Sequence, residues 1–570
     1  MDSIANISID RFLSDEETHR KCLDRHDLWE KVPLINSNAV HNFKDGSLVR
    51  FRGMIQDMHG PEYYVSQFHV TNEQTQDKIV KSGKYRDVMQ CCNGESIDFD
   101  FNNYSPEERY GYVVVSVPGI NSWVSEHETE KHKLKFGQDT TSSTSNKNKR
   151  SYEEAMEVEC CSQDTTPVKK VTSDSSEIKT SSSSNISPEY LLNHPLSDSK
   201  AMVCHIKVYQ DNDNLKLNDT FEFVGFLSMN SVEQDEDDLE MQTHNPPTSL
   251  VPRIHVICFK QLAHCNPLVD EASNMDAAEF VNIKRELLLV FTQLMLGDAL
   301  AAEYLICHLI SEIYLRHDYM ALGQFTLNIS NVPKIENIDY VNEVYRFLEL
   351  LVPKSHYLPF TLDNMNTLEF VPKKDYESNR LSSGILQLSR NTLLVLDETK
   401  LQEGKLDAAG VRAVQSLARV IKSQKVTYDF NYYPIDYDCD IQFLIFSEGK
   451  SMLPSDSLLR LKPDDGCVKT FGEIIEAARH FLKPELLQKI RIYLTKARLI
   501  KYELSEQVQE LVEQEFVAMR QNGNVTAQDL HSLLVLCRLV CLSEGKDTLD
   551  SMCWRKACEM ESKRRERVSK

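Results

Sequence analysis

The sequence predicts a multidomain α+β chain: a β-barrel of the OB type split by a long insert, then a layered α/β domain, then a helical C-terminal domain. Three observations predict this. The 570 residues exceed what one hydrophobic core organises and correspond to roughly three to four domains. Short runs of alternating apolar and polar residues fill 46–119 and 201–262, the period of half-buried strands. From about residue 280, strand-like runs alternate with helical ones, the pattern of a layered sheet.

Residues 1–45 read as a helical segment that contains the charged stretch DEETHRKCLDRHDLWEKV. Residues 46–119 are the first part of the barrel. In GSLVRFRGMIQDM, Leu48, Phe51, Met54 and Ile55 alternate with Arg50, Arg52 and Gln56. His59-Gly60-Pro61 then reads as a hairpin break before the strand EYYVSQFHV. KYRDVM and YGYVVVSVPG supply further strands. Residues 120–200 are rich in Ser, Thr, Lys and Glu, bury too little to offset chain entropy, and are expected to be disordered. Residues 201–262 complete the barrel, interrupted by an acidic loop at 233–247. On pattern alone any other small β-barrel fits almost as well.

Residues 263–480 form the α/β part. IKRELLLVFTQLML reads as strand-like and AAEYLICHLISEIYLR as a helix. FTLNIS, TLLVLDE and DIQFLIF read as strands, VNEVYRFLELLV and AAGVRAVQSLARVIKSQ as helices, and KVTYDFNYYPIDYD as a hairpin. Residues 481–570 are helical. Thr526-Ala527-Gln528-Asp529 has the form of a capping box with Asp in place of Glu or Gln, and Leu530, Leu533, Leu534, Cys537 and Cys541 share one face. The tail ESKRRERVSK is charged and expected to fray.

Bulk composition excludes several classes. The 64 basic and 86 acidic residues give a charge of −22, which repels phosphate backbones and argues against non-specific duplex binding. No apolar run reaches the ~20 residues of a membrane span. MDSIANISIDRF lacks the charged and apolar parts of a secretory signal. Fifteen cysteines without framework spacing read as reduced thiols of the cytosol or nucleus. Cys91-Cys92, Cys160-Cys161, Cys553 and Cys558 have no zinc-ligand partners at metal spacing, so no metal is expected.

The sharpest chemical pattern is Leu393-Leu394-Val395-Leu396-Asp397-Glu398. Such a buried strand ending in Asp-Glu is how a Walker B segment reads, with the Asp toward Mg²⁺ and the Glu toward water. A phosphate cradle needs G-x-x-x-x-G-K-[ST] between a strand and a helix. The position expected for it, around Gly297 and Asp298, has no further glycine, no lysine and no hydroxyl. Gly449-Lys450-Ser451 follows a strand, but the motif's first glycine falls at Leu444 and Pro454 breaks the helix that must follow. No nucleophile motif occurs, and His308 reads as a core histidine. Lys147, Lys149, Arg150, Lys169 and Lys170 lie in the long insert as a candidate bipartite nuclear-import signal.

VRFRGMIQDM, GKYRDV, KVYQDNDNLKLND, SLVPRIHVI, MLGDALAAEYLICHLIS, SSGILQLSRNTLLVLDET, KVTYDFNY and TAQDLHSLLVL together resemble the family of mini-chromosome maintenance (MCM) complex-binding proteins. The resemblance covers most of the chain outside 120–200 and 233–247. It implies a nuclear protein that binds subunits of the replicative MCM helicase and acts in DNA replication, the cell cycle and cell division, on chromatin and in sister-chromatid cohesion. It also casts the α/β part as a degenerate AAA+-like domain, and the C-terminal helices as a lid-like domain. LSSGILQLSRNTLLVLDETKL is similar to the helicase segment entering Walker B, KVTYDF to a pre-sensor hairpin and DIQFLIFSEG to a sensor-1 strand. The departures remove catalysis. The phosphate loop is absent, no Asn follows 441–446, the lid arginine position holds Gln528, and no arginine-finger segment follows. The expectation is a non-catalytic partner of MCM helicase subunits with no cofactor and no membrane contact. Direct nucleic-acid binding is not expected. Its alternative is single-stranded nucleic-acid binding by the OB-like domain, with Arg50, Arg52, Tyr63 and Tyr64 as a platform.

Overall fold

The computed structural model describes residues 7–37, 40–72, 75–89, 91, 94–97, 105–136, 188–196, 201–210, 214–229, 243–269, 275–317, 320–503, 506–522 and 526–569. The chain is a mixed α/β, multidomain protein. Among the described residues, no helix is long and apolar enough to cross a membrane.

The first sheet contains β1 (Leu48–Asn72), β2 (Lys78–Ser82), β3 (Glu95–Ile97), β4 (Ser105–Val115), β5 (Val203–Val208), β6 (Thr220–Ser228) and β7 (Arg253–Gln261). β1 pairs with β4, β4 with β5, β5 with β7, β7 with β6, and β6 returns to β1. This path closes a five-stranded barrel in which only the β5–β7 pair is parallel. Val49, Phe51, Val114, Ile206, Phe223 and Ile254 fill its core. β6 is buried along its whole length. Phe221, Phe223 and Leu227 face the barrel core, while Val224 and Phe226 pack with Phe12, Leu23 and Trp29. The helices Ile9–Ser14, Glu16–Leu23 and His26–Trp29 thus cover the outside of this strand. At Gly225, beside a register shift against β7, an added Cβ would lie 2.3 Å from the His255 carbonyl oxygen. Only glycine allows so close an approach of two backbones.

The expected hairpin at His59-Gly60-Pro61 is not formed. β1 runs straight through these residues as one 25-residue strand. Its pairing with β4 shifts register between Met58 and Pro61, so a bulge absorbs the missing proline N–H and the strand continues. The expected disorder of 120–200 also fails in part. Ser122–Phe136 is a helix, anchored because Trp123 and Val124 are buried, and Pro188–Leu192 forms a further short helix. Residues 137–187, and the basic residues Lys147, Lys149, Arg150, Lys169 and Lys170 with them, lie outside the described residues.

The second half holds β8 (Leu315–His317), β9 (Met320–Leu322), β10 (Leu327–Ser330), β11 (Ser355–Pro359), β12 (Lys373–Asp375), β13 (Arg380–Ser382), β14 (Thr392–Asp397), β15 (Lys425–Asp429), β16 (Pro434–Asp438), β17 (Ile441–Phe446) and β18 (Ser457–Arg460). A five-stranded, fully parallel sheet runs in the order β11-β14-β17-β10-β18. Its central strands are buried on both faces, as parallel sheets require. In β14, Leu393 and Val395 point into one core and Leu394 and Leu396 into another. The first core is shared with the helices at 277–309, 340–351 and 471–499 and with the C-terminal helices Ala527–Ser543 and Ser551–Ser569. The second is closed by the Ala408–Ser423 helix and a small sheet of order β13-β12-β15-β16.

Two further expectations are corrected here. IKRELLLVFTQLML is not a strand but lies in the helix Ala277–Leu294 and its cap. Short apolar runs suit either period, and Phe280, Ile283, Leu287, Phe291 and Leu294 recur at helical spacing. The tail does not fray: Ser551–Ser569 is helical, and Arg564, Arg565 and Arg567 are each held by carboxylates. The capping box at Thr526–Asp529 is present as read.

Candidate functional site

Ligands of open parallel sheets bind beyond the carboxyl ends of the strands, where crossover connections diverge. Here that edge is built by the ends of β10, β14 and β17. β10 leads through residues 331–339 into the helix Tyr340–Leu351, a strand–loop–helix crossover at the sheet's inner edge. The connection reads Asn-Val-Pro-Lys-Ile-Glu-Asn-Ile-Asp and contains no glycine. Pro333 offers no N–H, and Lys334 pairs outward with Glu448 at 3.0 Å.

A helix N-terminus attracts anions through its free N–H groups and dipole. At this one the chain supplies its own anion. Asp339 is the N-cap, accepting from the Asn342 N–H at 3.5 Å, and Lys400 Nζ lies 2.7 Å from its other oxygen. A phosphate arriving there would meet a carboxylate already neutralised by a lysine.

β14 ends in Asp397 and Glu398, as the sequence suggested. Asp397 is fully buried and its oxygens are occupied. Tyr357 donates its hydroxyl proton to Oδ2 at 2.6 Å, and Thr399 donates to Oδ1 through its hydroxyl (2.6 Å) and its N–H (3.0 Å). Burial, with the hydrogen bond to Asp397 next, pushes the Tyr357 hydroxyl well above the usual range, so it stays a donor. Glu398 Oε1 accepts from the Ser451 hydroxyl at 2.9 Å and the Met452 N–H at 3.3 Å. Burial raises the Glu398 carboxyl above the ordinary glutamate range, against those hydrogen bonds. Gly449-Lys450-Ser451 therefore contributes a buttress to Glu398, while Gly449 and Lys450 are exposed. Sequence reasoning missed Asp339, Lys400 and Tyr357. The available signal was FTLNIS, a strand directly ahead of the VNEVYRFLELLV helix.

Gly297 and Asp298 lie elsewhere. They join two helices, Ala277–Leu294 and Ala299–Leu309, and no strand precedes them. Gly297, at φ +86°, ends the first helix in a conformation other residues rarely adopt, and Asp298 caps the second by accepting from the N–H groups of Leu300 and Ala301. Gln528 is exposed in the first turn of the Ala527–Ser543 helix. His308 is fully buried, with Nδ1 2.8 Å from the Phe325 carbonyl oxygen.

The barrel arginines do not form an exposed platform. Arg50 pairs with Glu222 at 2.9 Å and donates to the Val32 carbonyl; Arg52 pairs with Glu222 at 3.2 Å and with Glu128. Tyr64 is buried and donates to Glu107, leaving Tyr63 exposed. Alternation along β1 placed these arginines on a polar face but could not reveal the two glutamates that meet them from β6 and the Ser122–Phe136 helix. Among the described residues no group of three or more His, Cys, Asp or Glu is placed to hold a metal.

Fold and site together define a class: a mixed α/β chain built on a parallel-sheet crossover whose anion position is filled by its own carboxylate. A family model described as "Mini-chromosome maintenance replisome factor" matches residues 19–568. The chain is 42% identical over 564 residues to a Drosophila melanogaster protein named Mini-chromosome maintenance complex-binding protein, covering 95% of this chain and 93% of that one. Proteins of the same name from Danio rerio (38% over 590 residues, 96% and 92%) and Homo sapiens (38% over 591 residues, 94% and 91%) are similar throughout. The chain belongs to the mini-chromosome maintenance complex-binding protein family.

Proposed function

We propose that this chain is a non-catalytic partner of MCM helicase subunits, acting as a chaperone or adaptor in DNA replication. Its relatives are named for binding the MCM complex. Two topologies support the reading. Numbered in chain order, the closed barrel runs 1-2-3-5-4 with strands 3 and 5 parallel, which is the arrangement of an OB-like fold. The parallel sheet runs 2-3-4-1-5, the strand order of AAA+ modules, and its third strand carries Asp397-Glu398. On this reading the phosphate-loop position is 331–339, not Gly297-Asp298.

The observation that carries the proposal is the combination at that sheet edge: a Walker-B-like strand end is kept, while the helix N-terminus after the sheet's first strand is capped by Asp339, itself paired with Lys400. Such a pseudo-subunit offers helicase-like surfaces without gating by its own hydrolysis. Helicase rings close by heterologous head-to-tail packing, so a chain of this shape can cover one subunit's interface. We place this activity in the nucleus and on chromatin, with consequences for the cell cycle and sister-chromatid cohesion. Lys147, Lys149, Arg150, Lys169 and Lys170 would serve import. The test is affinity purification of the tagged chain from nuclear and cytosolic extract near physiological salt, with quantitative mass spectrometry. Near-stoichiometric MCM subunits are expected. Their absence, with unrelated proteins or nucleic acid in their place, defeats the proposal.

A further inference from the structure

The small sheet that closes the second core ends in a hairpin, β15–β16, whose tip is aromatic and faces solvent. Tyr432 is 84% exposed, Tyr433 53% and Tyr376 47%. Leaving three large rings together in water forfeits the burial that would otherwise stabilise the fold, and clustered exposed apolar surface marks interaction sites.

The tip is held rigid. The Tyr376 hydroxyl donates to the Phe430 carbonyl at 2.8 Å, linking the 373–377 segment to the hairpin. Phe430 and Tyr433 stack with centroids 5.5 Å apart and planes 9° from parallel, and Tyr376 meets Tyr432 edge-on at 5.5 Å. The turn itself is fixed by the Asn431 N–H donating to Asp429 at 2.8 Å, with Asn431 at φ +59°. Rigid tyrosines with two side-chain torsions lose little entropy on binding, which makes such a tip a preformed contact rather than a loose loop.

Its electrostatics select the partner. The two segments that build it, 373–377 and 425–438, carry five carboxylates against three lysines. Arg419 and Arg316 meet Asp436 and Asp438 at the base of the hairpin, at 2.9 and 3.5 Å. Asp429 and Glu377, beside the rings, have no ion-pair partner among the described residues. Carboxylates beside π faces repel a phosphate backbone and attract guanidinium or ammonium groups, which also bind ring faces directly.

Resting on the proposed partnership with MCM subunits, we propose that the Tyr376–Tyr432–Tyr433 tip is the surface by which this chain grips an arginine- or lysine-bearing face of a helicase subunit. The test uses the full-length chain, each MCM helicase subunit purified separately, and two variants: Tyr432→Ala/Tyr433→Ala, and Asp429→Asn/Glu377→Gln. Wild type is expected to retain at least one subunit. The tyrosine variant should lose about tenfold or more in affinity with an unchanged Tm, on the scale of hot-spot truncation. The carboxamide variant should bind more weakly and with a shallower salt dependence. Equal retention by wild type and the tyrosine variant overturns the surface assignment alone. If wild type retains no subunit, the partnership itself falls and the surface with it. If instead wild type holds single-stranded DNA and the tyrosine variant releases it, the rings serve base stacking and the assignment is likewise overturned.

Discussion

Asp298 and Arg567, 269 residues apart, form a two-pronged ion pair with contacts of 2.6 and 3.1 Å. The same carboxylate caps the Ala299–Leu309 helix and accepts the Lys462 N–H at 3.0 Å. One side chain thus ties the last helix to the middle of the chain and to the connection that follows β18. The planar guanidinium suits this fork and a lysine does not.

Arg567→Ala leaves the Asp298 carboxylate buried with the N–H groups of Leu300, Ala301 and Lys462 and no counter-charge. Removing one partner of such a pair costs about 3 kcal/mol. The expected outcome is a lowered urea midpoint for the phase reported by Trp554, which lies buried on the same helix. Arg567→Lys should recover part of the loss. A midpoint equal to wild type would mean that the tail is held by Arg564 and Arg565 alone.

Nucleotide should not bind at the parallel-sheet edge. Ligand that binds the folded state stabilises it by RT ln(1 + [L]/Kd), so a site of Kd near ~0.1 mM would add about 2 kcal/mol at ~5 mM ATP. No rise in Tm with ATP and Mg²⁺ is expected, and Asp397→Asn should leave that null response unaltered. Asp339→Ala combined with Lys400→Ala clears the anion position, and a Tm rise confined to this variant would show that the plug alone excludes phosphate.

Much of this edge was legible. The run Leu393–Leu396 before Asp397-Glu398 reads as a buried strand because it is short, continuous and bounded by an acidic pair. The Ala277–Leu294 helix was not legible because a short apolar run has no decisive period, although the Gly-Asp that follows it is also a helix stop followed by a helix start. The bulge that carries β1 through Pro61 and the glutamates that reach Arg50 and Arg52 depend on partners far along the chain. Local pattern carries no trace of them. The helix at 122–136 hid in a polar stretch because two residues, Trp123 and Val124, suffice to anchor it.

Acid should weaken the barrel through Glu222. Burial raises its carboxyl, but Arg52 and Arg50 outweigh that and leave it lowered overall. The Trp29 indole N–H adds a donor at 2.8 Å. A folded pKa below the unfolded value, near ~4.3, means that the stabilisation is complete above that value and drains as pH falls through the folded one. Glu222→Gln leaves the buried Arg50 without its carboxylate while Arg52 keeps Glu128, and about 3 kcal/mol is the expected loss at neutral pH. The gap to wild type should narrow as pH drops below ~4, read as Tm against pH. A constant gap would assign the acid sensitivity to other carboxylates.

His308 predicts a separate acid loss that sets in at a higher pH. The ring is fully buried, and burial pushes its pKa down to about 4, with the Phe325 carbonyl opposing and Arg498 assisting. It is therefore neutral in the fold, and Nδ1–H donates to Phe325. In the unfolded chain the ring titrates near ~6.5, so below that the unfolded state takes up a proton that the folded state refuses. Stability is complete above ~6.5 and falls between there and about 4, at a limiting slope of about 1.4 kcal/mol per pH unit from this group. His308→Phe removes the titration and orphans the Phe325 carbonyl, for a loss of about 1–3 kcal/mol at pH ~7. Its stability should then change less than wild type between pH ~6.5 and ~4. Because the ring lies under the parallel sheet, beside the Gln442 amide that donates to the His308 carbonyl at 3.3 Å, the flattened curve should be read in the phase that unfolds this core. Parallel curves for variant and wild type would mean that the imidazole accepts its proton inside the fold, with the Phe325 carbonyl as its counter-dipole.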